Sequence, residues 1–278
     1  MKMKNILLLA TSIVALASCS ASAKKTAEPA KTKTLVVFYS QTNTTRTVAL
    51  EIQSKLGADT AEIKVSGEYP TDFQSTIQRW QEDMKNGVNP EIEPLGVNIA
   101  DYDTIFIGYP IWGGTYAQPV ASFIGANNFA GKVVFPFCTF GSGGRVSSTK
   151  QLAEVLSNAT IGESYGVRQA RLASAPAEID SYLKKIGAIK GEVETLPDFS
   201  EMQDVTEADK ALFDAATSSY GMYKMTPVTV CSRATSNGTD YIFTAENAGP
   251  DGSTSQLTVF VTKGADENAV PEFTAVER

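Results

Sequence analysis

Six consecutive residues with hydroxyl or amide side chains follow an apolar run near the start of the sequence. These residues, SQTNTT at 40–45, lie between a predicted strand at 34–39 and a predicted helix at 44–56. The N–H groups and the dipole of a helix N-terminus favour an anion there. We therefore predict a phosphate-binding loop made of Ser40, Gln41, Thr42, Asn43, Thr44 and Thr45. Because the loop has neither a Walker lysine nor the glycines of a dinucleotide turn, a monophosphate fits better. A capping turn without a ligand is the alternative.

Two further loops place aromatic residues and glycines after predicted strands. The sequence YPIWGGTYAQP at 109–119 follows the strand 104–109, and CTFGSGGRVS at 138–147 follows the strand 132–137. In the first we expect a platform for a flat ring, since little predicted structure lies beside Trp112 to bury it. The platform residues are Pro110, Ile111, Trp112 and Gly113. In the second we expect backbone groups directed at the edge of that ring, from Thr139, Phe140, Gly141, Ser142 and Gly143. A plain turn would explain either loop alone, but the three loops together describe a site for flavin mononucleotide (FMN).

Strands and helices alternate up to residue 186, and the predicted strands are apolar. Besides the segments above, we predict strands at 58–64 and 160–167 and helices at 72–85, 118–126, 147–156 and 176–186. In the helix 72–85, the apolar residues recur at intervals of three or four and are expected to share one inward face: Phe73, Ile77, Trp80 and Met84. The alternation indicates an α/β fold with a doubly wound parallel sheet. Ligands bind such sheets outside the carboxyl ends of the strands, where the three loops lie.

Histidine is absent from the 278 residues, which limits the possible chemistry. Its absence removes Ser-His-Asp and Cys-His catalysis and the commonest metal ligand. Any chemistry must then come from carboxylates, hydroxyls, backbone groups or a bound cofactor, and we assign no catalytic residue and no metal site. The formal net charge of −7 argues against nucleic acid as a partner. Cys138 and Cys231 lie in different predicted domains, so a disulfide framework is not expected, and Cys231 is predicted to be a buried free thiol.

Residues 1–18 have the layout of a secretory signal peptide, with two lysines, an apolar stretch too short to span a membrane, and small residues before Cys19. The sequence LASC at 16–19 resembles the bacterial lipobox, which implies that Cys19 is lipidated. An ordinary cleaved signal with a chance cysteine is the alternative. Residues 19–33 are predicted to form a flexible tether. The resemblance implies a lipid-anchored protein of the bacterial cell envelope, periplasmic or on the outer membrane, that meets the membrane through its lipid only.

The sequence after residue 187 differs in character from the α/β segment. We predict a polar linker at 188–205, a helix at 206–220 and three strands at 223–233, 239–246 and 255–262. A helix followed by an antiparallel meander indicates a small α+β domain at 206–278. The hairpin VCSRATSNGTDYIFTAEN resembles the cystatin-like modules of exported bacterial proteins. Two roles stay open for this domain, a stabilising appendage and a partner-binding module.

Residues 34–187 resemble the flavodoxin family, and in particular its envelope members. The phosphate loop SQTNTT, the second loop GYPIWGG and the segment FAGKVVFPFCTFGSGG carry the resemblance in the family's order. It implies a five-stranded parallel sheet of order 2-1-3-4-5, of the short-chain type, with FMN held non-covalently. Asn43 stands where the family usually has glycine, which asparagine tolerates because it enters the left-handed region more easily than most residues. Arg46, next to the loop, either strengthens phosphate binding or points to solvent.

The resemblance implies an electron-transfer flavoprotein whose partner is a redox protein or a small acceptor. An acidic, partly apolar site would disfavour the anionic reduced flavin and lower the potential of the second electron. Two alternatives remain. One is an NAD(P)H-dependent reductase of flavins or quinones, and the other is a binding lipoprotein that has kept the fold without the flavin.

Overall fold

A computed structural model describes residues 33–67, 69–249 and 252–278, which belong to one compact unit. The predicted signal peptide, the lipidation of Cys19 and nearly all of the predicted tether lie outside the described residues. None of the described helices is long and apolar enough to cross a membrane.

A parallel sheet forms the amino-terminal half of this unit. Its strands are β1 (Thr34–Phe38), β2 (Asp59–Glu62), β3 (Thr104–Trp112), β4 (Thr115–Tyr116), β5 (Val133–Phe140), β6 (Thr160–Ile161) and β7 (Tyr165–Arg168). The order is β2-β1-β3-β5, and both β6 and β7 pair with β5, while the short β4 folds back antiparallel on β3. The parallel strands therefore follow the predicted order 2-1-3-4-5, which confirms the fold class.

Helices cover both faces of this sheet, as the doubly wound fold requires. They are α1 (Thr44–Leu56), α2 (Phe73–Asn86), α3 (Gln118–Gly125), α4 (Arg145–Val155) and α5 (Ala175–Lys185). On one face, Phe123 of α3 and Leu152 of α4 pack into a core with alternate side chains of β1 and β3. On the other face, Ile52 of α1 and Ile179 of α5 pack into a second core. Burial on both faces explains why the strands are apolar throughout.

The inward face predicted for α2 is wrong at Phe73 and Met84, whereas Trp80 packs against the core of this sheet face as predicted. Phe73 is 69% exposed and Met84 is 49% exposed, whereas Thr76 and Asp83 are buried. Asp83 tolerates burial because the Nε of Arg79, one turn earlier, lies 2.8 Å from its Oδ1. The Thr76 hydroxyl donates to the Asp72 carbonyl at 2.7 Å. Apolar periodicity missed Thr76 and Asp83 because both are polar; the Thr76 hydroxyl and Asp83 Oδ1 find partners at or within the helix, and Asp83 Oδ2 has none among the described residues.

A second, antiparallel sheet forms the carboxyl-terminal part of the unit. Its elements are β8 (Gln203–Asp204), α6 (Glu207–Thr217), β9 (Met225–Thr235), β10 (Gly238–Ala248), β11 (Thr254–Gly264) and β12 (Glu272–Glu277). The order is β12-β11-β10-β9-β8, and α6 packs on the sheet through Phe213, whose ring lies 5.1 Å from that of Phe243. The prediction of three strands missed β8 and β12. In β12 the buried Phe273 and Val276 are three residues apart, because a register shift at Phe260 and Val261 interrupts the alternation.

Candidate cofactor site

The first predicted loop lies between β1 and the start of α1. Asn43 adopts the left-handed conformation with φ of 64°, which confirms that asparagine can stand at this position. It occupies the N-cap of α1, and its side chain makes no capping hydrogen bond. Thr42 and Asn43 are exposed, and Thr42 Oγ1 lies 3.2 Å from Thr44 Oγ1. The Asn43 side chain therefore leaves N–H groups at the start of α1 open, and the hydroxyls of Thr42 and Thr44 lie beside them. N–H and O–H groups together are the donors that an anion requires.

Three side chains of this region are engaged by the protein itself. The Gln41 amide accepts from the Tyr39 hydroxyl and donates to the Pro70 carbonyl, and its Nε2 lies 3.3 Å from Thr76 Oγ1. These bonds tie the loop to the segment before α2 and leave the Gln41 backbone, rather than its side chain, for a ligand. Arg46 forms an ion pair with Glu62, so its charge is directed at β2. The Ser40 hydroxyl accepts from the Arg46 backbone N–H at 3.1 Å.

The second loop begins at the end of β3, and Trp112 within it is buried. Only 7% of Trp112 is exposed, so the expectation that it lacks neighbours is wrong. The Tyr39 ring meets it edge-on at 5.7 Å, and the Tyr69 ring stacks on it at 6.3 Å with 12° between the planes. Burial raises the pKa of Tyr69 to about 12. Tyr69 lies in the loop between β2 and α2, next to Pro70. This aromatic residue in a loop is the sequence feature that points to a neighbour for Trp112, and the prediction did not use it.

The glycines of the second loop allow close approaches within the protein. Gly113 has φ of 55°, and a Cβ there would lie 2.0 Å from the Trp80 ring. The Gly114 carbonyl accepts from the Ser147 hydroxyl at 2.9 Å, which joins this loop to α4. Pro110 and Ile111, the other predicted flanking residues, are partly exposed at the end of β3. Of the four residues predicted to flank a ring, Pro110, Ile111 and Gly113 are thus accessible, and Trp112 supports them from inside.

The third loop leaves the end of β5. Thr139 is buried, and its Oγ1 lies 2.7 Å from Thr45 Oγ1, so this hydroxyl pair joins the first and third loops. Phe140 is also buried, whereas Gly141 is exposed. The Gly141 carbonyl accepts from Arg168 Nε at 2.9 Å, and the Ser142 carbonyl accepts from the Val276 N–H at 2.9 Å. Sequence reasoning did not anticipate either partner.

The three loops meet at one edge of the sheet. They follow β1, β3 and β5, which are neighbours in the sheet, and Thr45–Thr139, Tyr39–Trp112 and Ser147–Gly114 contacts link them. The residues present suit FMN, because the first N–H groups of α1 and the loop hydroxyls can hold a phosphate and the glycine-rich third loop, exposed at Gly141, can meet a ring edge. Among the described residues, no group of acidic and cysteine side chains could hold a metal ion. Cys138 and Cys231 are free and buried, which confirms the prediction for Cys231.

Comparison with known proteins agrees with this architecture. The flavodoxin family model matches residues 33–171, half of the sequence. The chain belongs to the flavodoxin family. No curated protein matches it.

Solved structures of flavodoxin-like chains resemble this family member over the parallel sheet. A structure from Bacteroides eggerthii DSM 20697 that carries the name flavoprotein is 28% identical, with a TM-score of 0.51, and the match covers 57% of this chain and 99% of that one. A similarly named structure from Bacteroides uniformis ATCC 8492 is 28% identical over 54% of this chain and 98% of that one, with a TM-score of 0.48. A flavoprotein from Lactobacillus acidophilus NCFM, solved in complex with FMN, is 22% identical over 56% of this chain and 99% of that one, with a TM-score of 0.48.

Proposed function

We propose that this flavodoxin-family chain is an FMN-binding electron-transfer protein of the bacterial cell envelope. One observation carries the proposal, the meeting of three loops at the carboxyl edge of the sheet around the start of α1, where the Asn43 side chain makes no capping hydrogen bond. The family and the FMN complex of the Lactobacillus acidophilus flavoprotein are consistent with this cofactor. When bound, FMN supplies one- and two-electron redox chemistry. The chain's own residues hold it and set its surroundings.

Each loop has a separate task in this proposal. The hydroxyls of Ser40, Thr42 and Thr44 and the N–H groups at the start of α1 bind the phosphate. Pro110 and Ile111 flank the ring, and Trp112 holds their loop in place by packing against Tyr39 and Tyr69. Backbone groups at 139–143 bond the polar edge of the ring.

The envelope location and the partners are part of the same proposal. The signal-like residues 1–18 and the LASC sequence support a lipid anchor on Cys19. A helix packed on an antiparallel sheet supports a cystatin-like carboxyl-terminal domain. We expect the electron partner to be a redox protein or a small acceptor, and not nucleic acid, because the net charge is −7.

The decisive experiment is a titration of residues 33–278 with FMN and with riboflavin, followed by flavin fluorescence. We expect tight binding of FMN and much weaker binding of riboflavin, which lacks the phosphate. Thr44→Val should weaken FMN binding about tenfold or more, since a hydrogen bond to a charged group contributes about 1.5–3 kcal/mol. Thr47→Val is the matched control, because Thr47 lies one turn further along α1 and bonds the Asn43 carbonyl. Equal affinity for FMN and riboflavin, or no binding of either, would refute the proposal.

The anchor is tested separately by fractionating cells that express the full-length chain. The wild-type protein should remain with the membranes, and a Cys19→Ser variant should lose its lipid and its membrane association. A matched Cys231→Ser variant keeps the LASC sequence and should stay on the membrane. A Cys19→Ser variant that fractionates like the wild-type protein would contradict the lipid anchor.

A further inference from the structure

The last strand of the carboxyl-terminal sheet contacts the third loop of the cofactor site. The Val276 N–H donates to the Ser142 carbonyl at 2.9 Å, and Val276 forms an isolated parallel bridge with Gly143. The contact is so close that a Cβ on Gly143 would lie 1.7 Å from the Val276 carbonyl oxygen. The Val146 N–H at the start of α4 donates to Glu277 Oε1 at 3.3 Å. Strand β12 therefore contacts the third loop through one bridge at Gly143 and one side chain at the start of α4.

Arg168, at the end of β7, joins the same two parts of the protein. Its Nε donates to the Gly141 carbonyl at 2.9 Å, and its Nη1 donates to the Phe273 carbonyl of β12 at 2.7 Å. Its guanidinium lies 4.3 Å from the centroid of the Phe273 ring and 5.6 Å from that of Tyr220. One side chain thus fixes the loop and β12 against each other through two carbonyls and two aromatic rings.

These contacts restrain the loop without covering it. Gly141 remains exposed, and in the described part of the chain the Ser142 N–H donates to no other group. The two backbone contacts from outside the loop use the Gly141 and Ser142 carbonyls, and a third uses the Ser142 hydroxyl, which bonds Met222 Sδ at 3.7 Å, so the Ser142 N–H stays available for a carbonyl oxygen of a ring edge. A glycine-rich loop loses much conformational freedom when a ligand orders it. A loop already held in place avoids that loss at binding.

We propose that the carboxyl-terminal domain is a working part of the flavin site. Strand β12 and Arg168 hold residues 139–143 in the conformation that binds the polar edge of the flavin ring, and Arg168 is a positioning residue. This inference rests on the proposed FMN function and assigns the carboxyl-terminal domain a role there. It also predicts reciprocity, because FMN binding must stabilise the docking of β12 as much as docking favours FMN.

The first test measures FMN affinity in the full-length chain purified in mild detergent. Arg168→Gln removes the guanidinium that bridges Gly141 and Phe273, and we expect the Kd for FMN to rise about tenfold or more. The matched control is Arg233→Gln, because Arg233 bonds Asp240 at 3.0 Å and lies over the Phe199 ring at 4.4 Å, among residues outside the cofactor loops. Its Kd should stay at the wild-type value. An Arg168→Gln variant that binds FMN as tightly as the wild type, or more tightly, overturns the inference.

The second test needs no variant and applies even if Arg168→Gln does not fold. Hydrogen exchange of the Val276 amide is measured in the wild-type chain with and without saturating FMN. We expect exchange to slow about fivefold or more when FMN is bound, because the ligand orders the carbonyl that this amide contacts. Unchanged or faster exchange with FMN bound overturns the inference and leaves the FMN function standing. Failure of the wild-type chain to bind FMN refutes the proposed function, and the inference with it.

Discussion

Replacing Trp112 tests whether this tryptophan is a buried packing residue, as the structure shows, rather than the exposed platform that the sequence predicts. Only 7% of Trp112 is exposed, and its ring contacts those of Tyr39 and Tyr69. Truncating a buried tryptophan to alanine costs about 3–5 kcal/mol of unfolding free energy. Of this, each aromatic pair accounts for about 0.5–1.5 kcal/mol. The loss is a large fraction of the stability of an ordinary domain, about 5–15 kcal/mol.

The assay for Trp112→Ala is urea unfolding of residues 33–278, followed by circular dichroism. Trp112→Phe keeps one ring between the two tyrosines and should lose less stability. The chain's other tryptophan provides the control, since the Trp80 indole N–H is buried without a partner. Trp80→Phe removes that unpaired donor together with ring atoms that pack on Gly113, so it should lose less stability than Trp112→Ala. A loss below about 1 kcal/mol in Trp112→Ala would refute the reasoning, because no buried ring of this size is that dispensable.

The same variant also tests the role of Trp112 in the cofactor site. We expect Trp112→Ala to weaken FMN binding by about 1–3 kcal/mol, measured at a temperature where the variant is folded. Unchanged affinity would show that Trp112 serves stability alone.

Three further predictions follow from individual contacts. Because Asn43 has a φ of 64°, Asn43→Gly should leave the free energy of urea unfolding nearly unchanged, whereas Asn43→Ala should lower it by about 1–2 kcal/mol. Equal effects of the two changes would contradict the left-handed conformation. Thr45→Val should lower the free energy of unfolding by about 1–3 kcal/mol, because it leaves the buried Thr139 hydroxyl unpaired, and adding Thr139→Val should recover part of that loss. Strictly additive losses in the double variant would contradict an interaction between the two hydroxyls. Burial raises the Tyr69 pKa from 10.0 to about 12, so ionisation favours the unfolded chain, and the contribution of Tyr69 to stability is complete below pH 10 and declines between pH 10 and 12. A guanidinium unfolding midpoint at pH 11 that is no lower than the midpoint at pH 9 would refute this.

Local features of the sequence predicted much of the parallel domain. The apolar runs of β1, β3 and β5 were recognisable because a strand covered on both faces needs apolar residues at every position. The left-handed conformation of Asn43 was foreseeable because it stands where the resembling family usually has glycine, and asparagine enters that region more easily than most residues. The assignment of the three loops to one ligand stays a prediction, although the structure brings them to one edge.

Other features did not follow local rules. Apolar periodicity found Trp80 on the inward face of α2 but not Asp83, because a buried carboxylate paired with Arg79 leaves no apolar signal. The burial of Trp112 depends on Tyr69, which reaches it from the loop after β2. Strand β12 escaped detection because a register shift breaks its alternation.

The sequence by itself determined the fold class, the family and the three candidate loops, because these depend on residue types and on spacing between near neighbours. Only the tertiary structure decided what surrounds those loops. Tyr69 buries Trp112, and Val276 binds the carbonyl of Ser142. The Val146–Glu277 contact of the same docking joins residues 131 positions apart. Such contacts form only when two folded sheets meet, and no local pattern of residues encodes which edge will meet which loop.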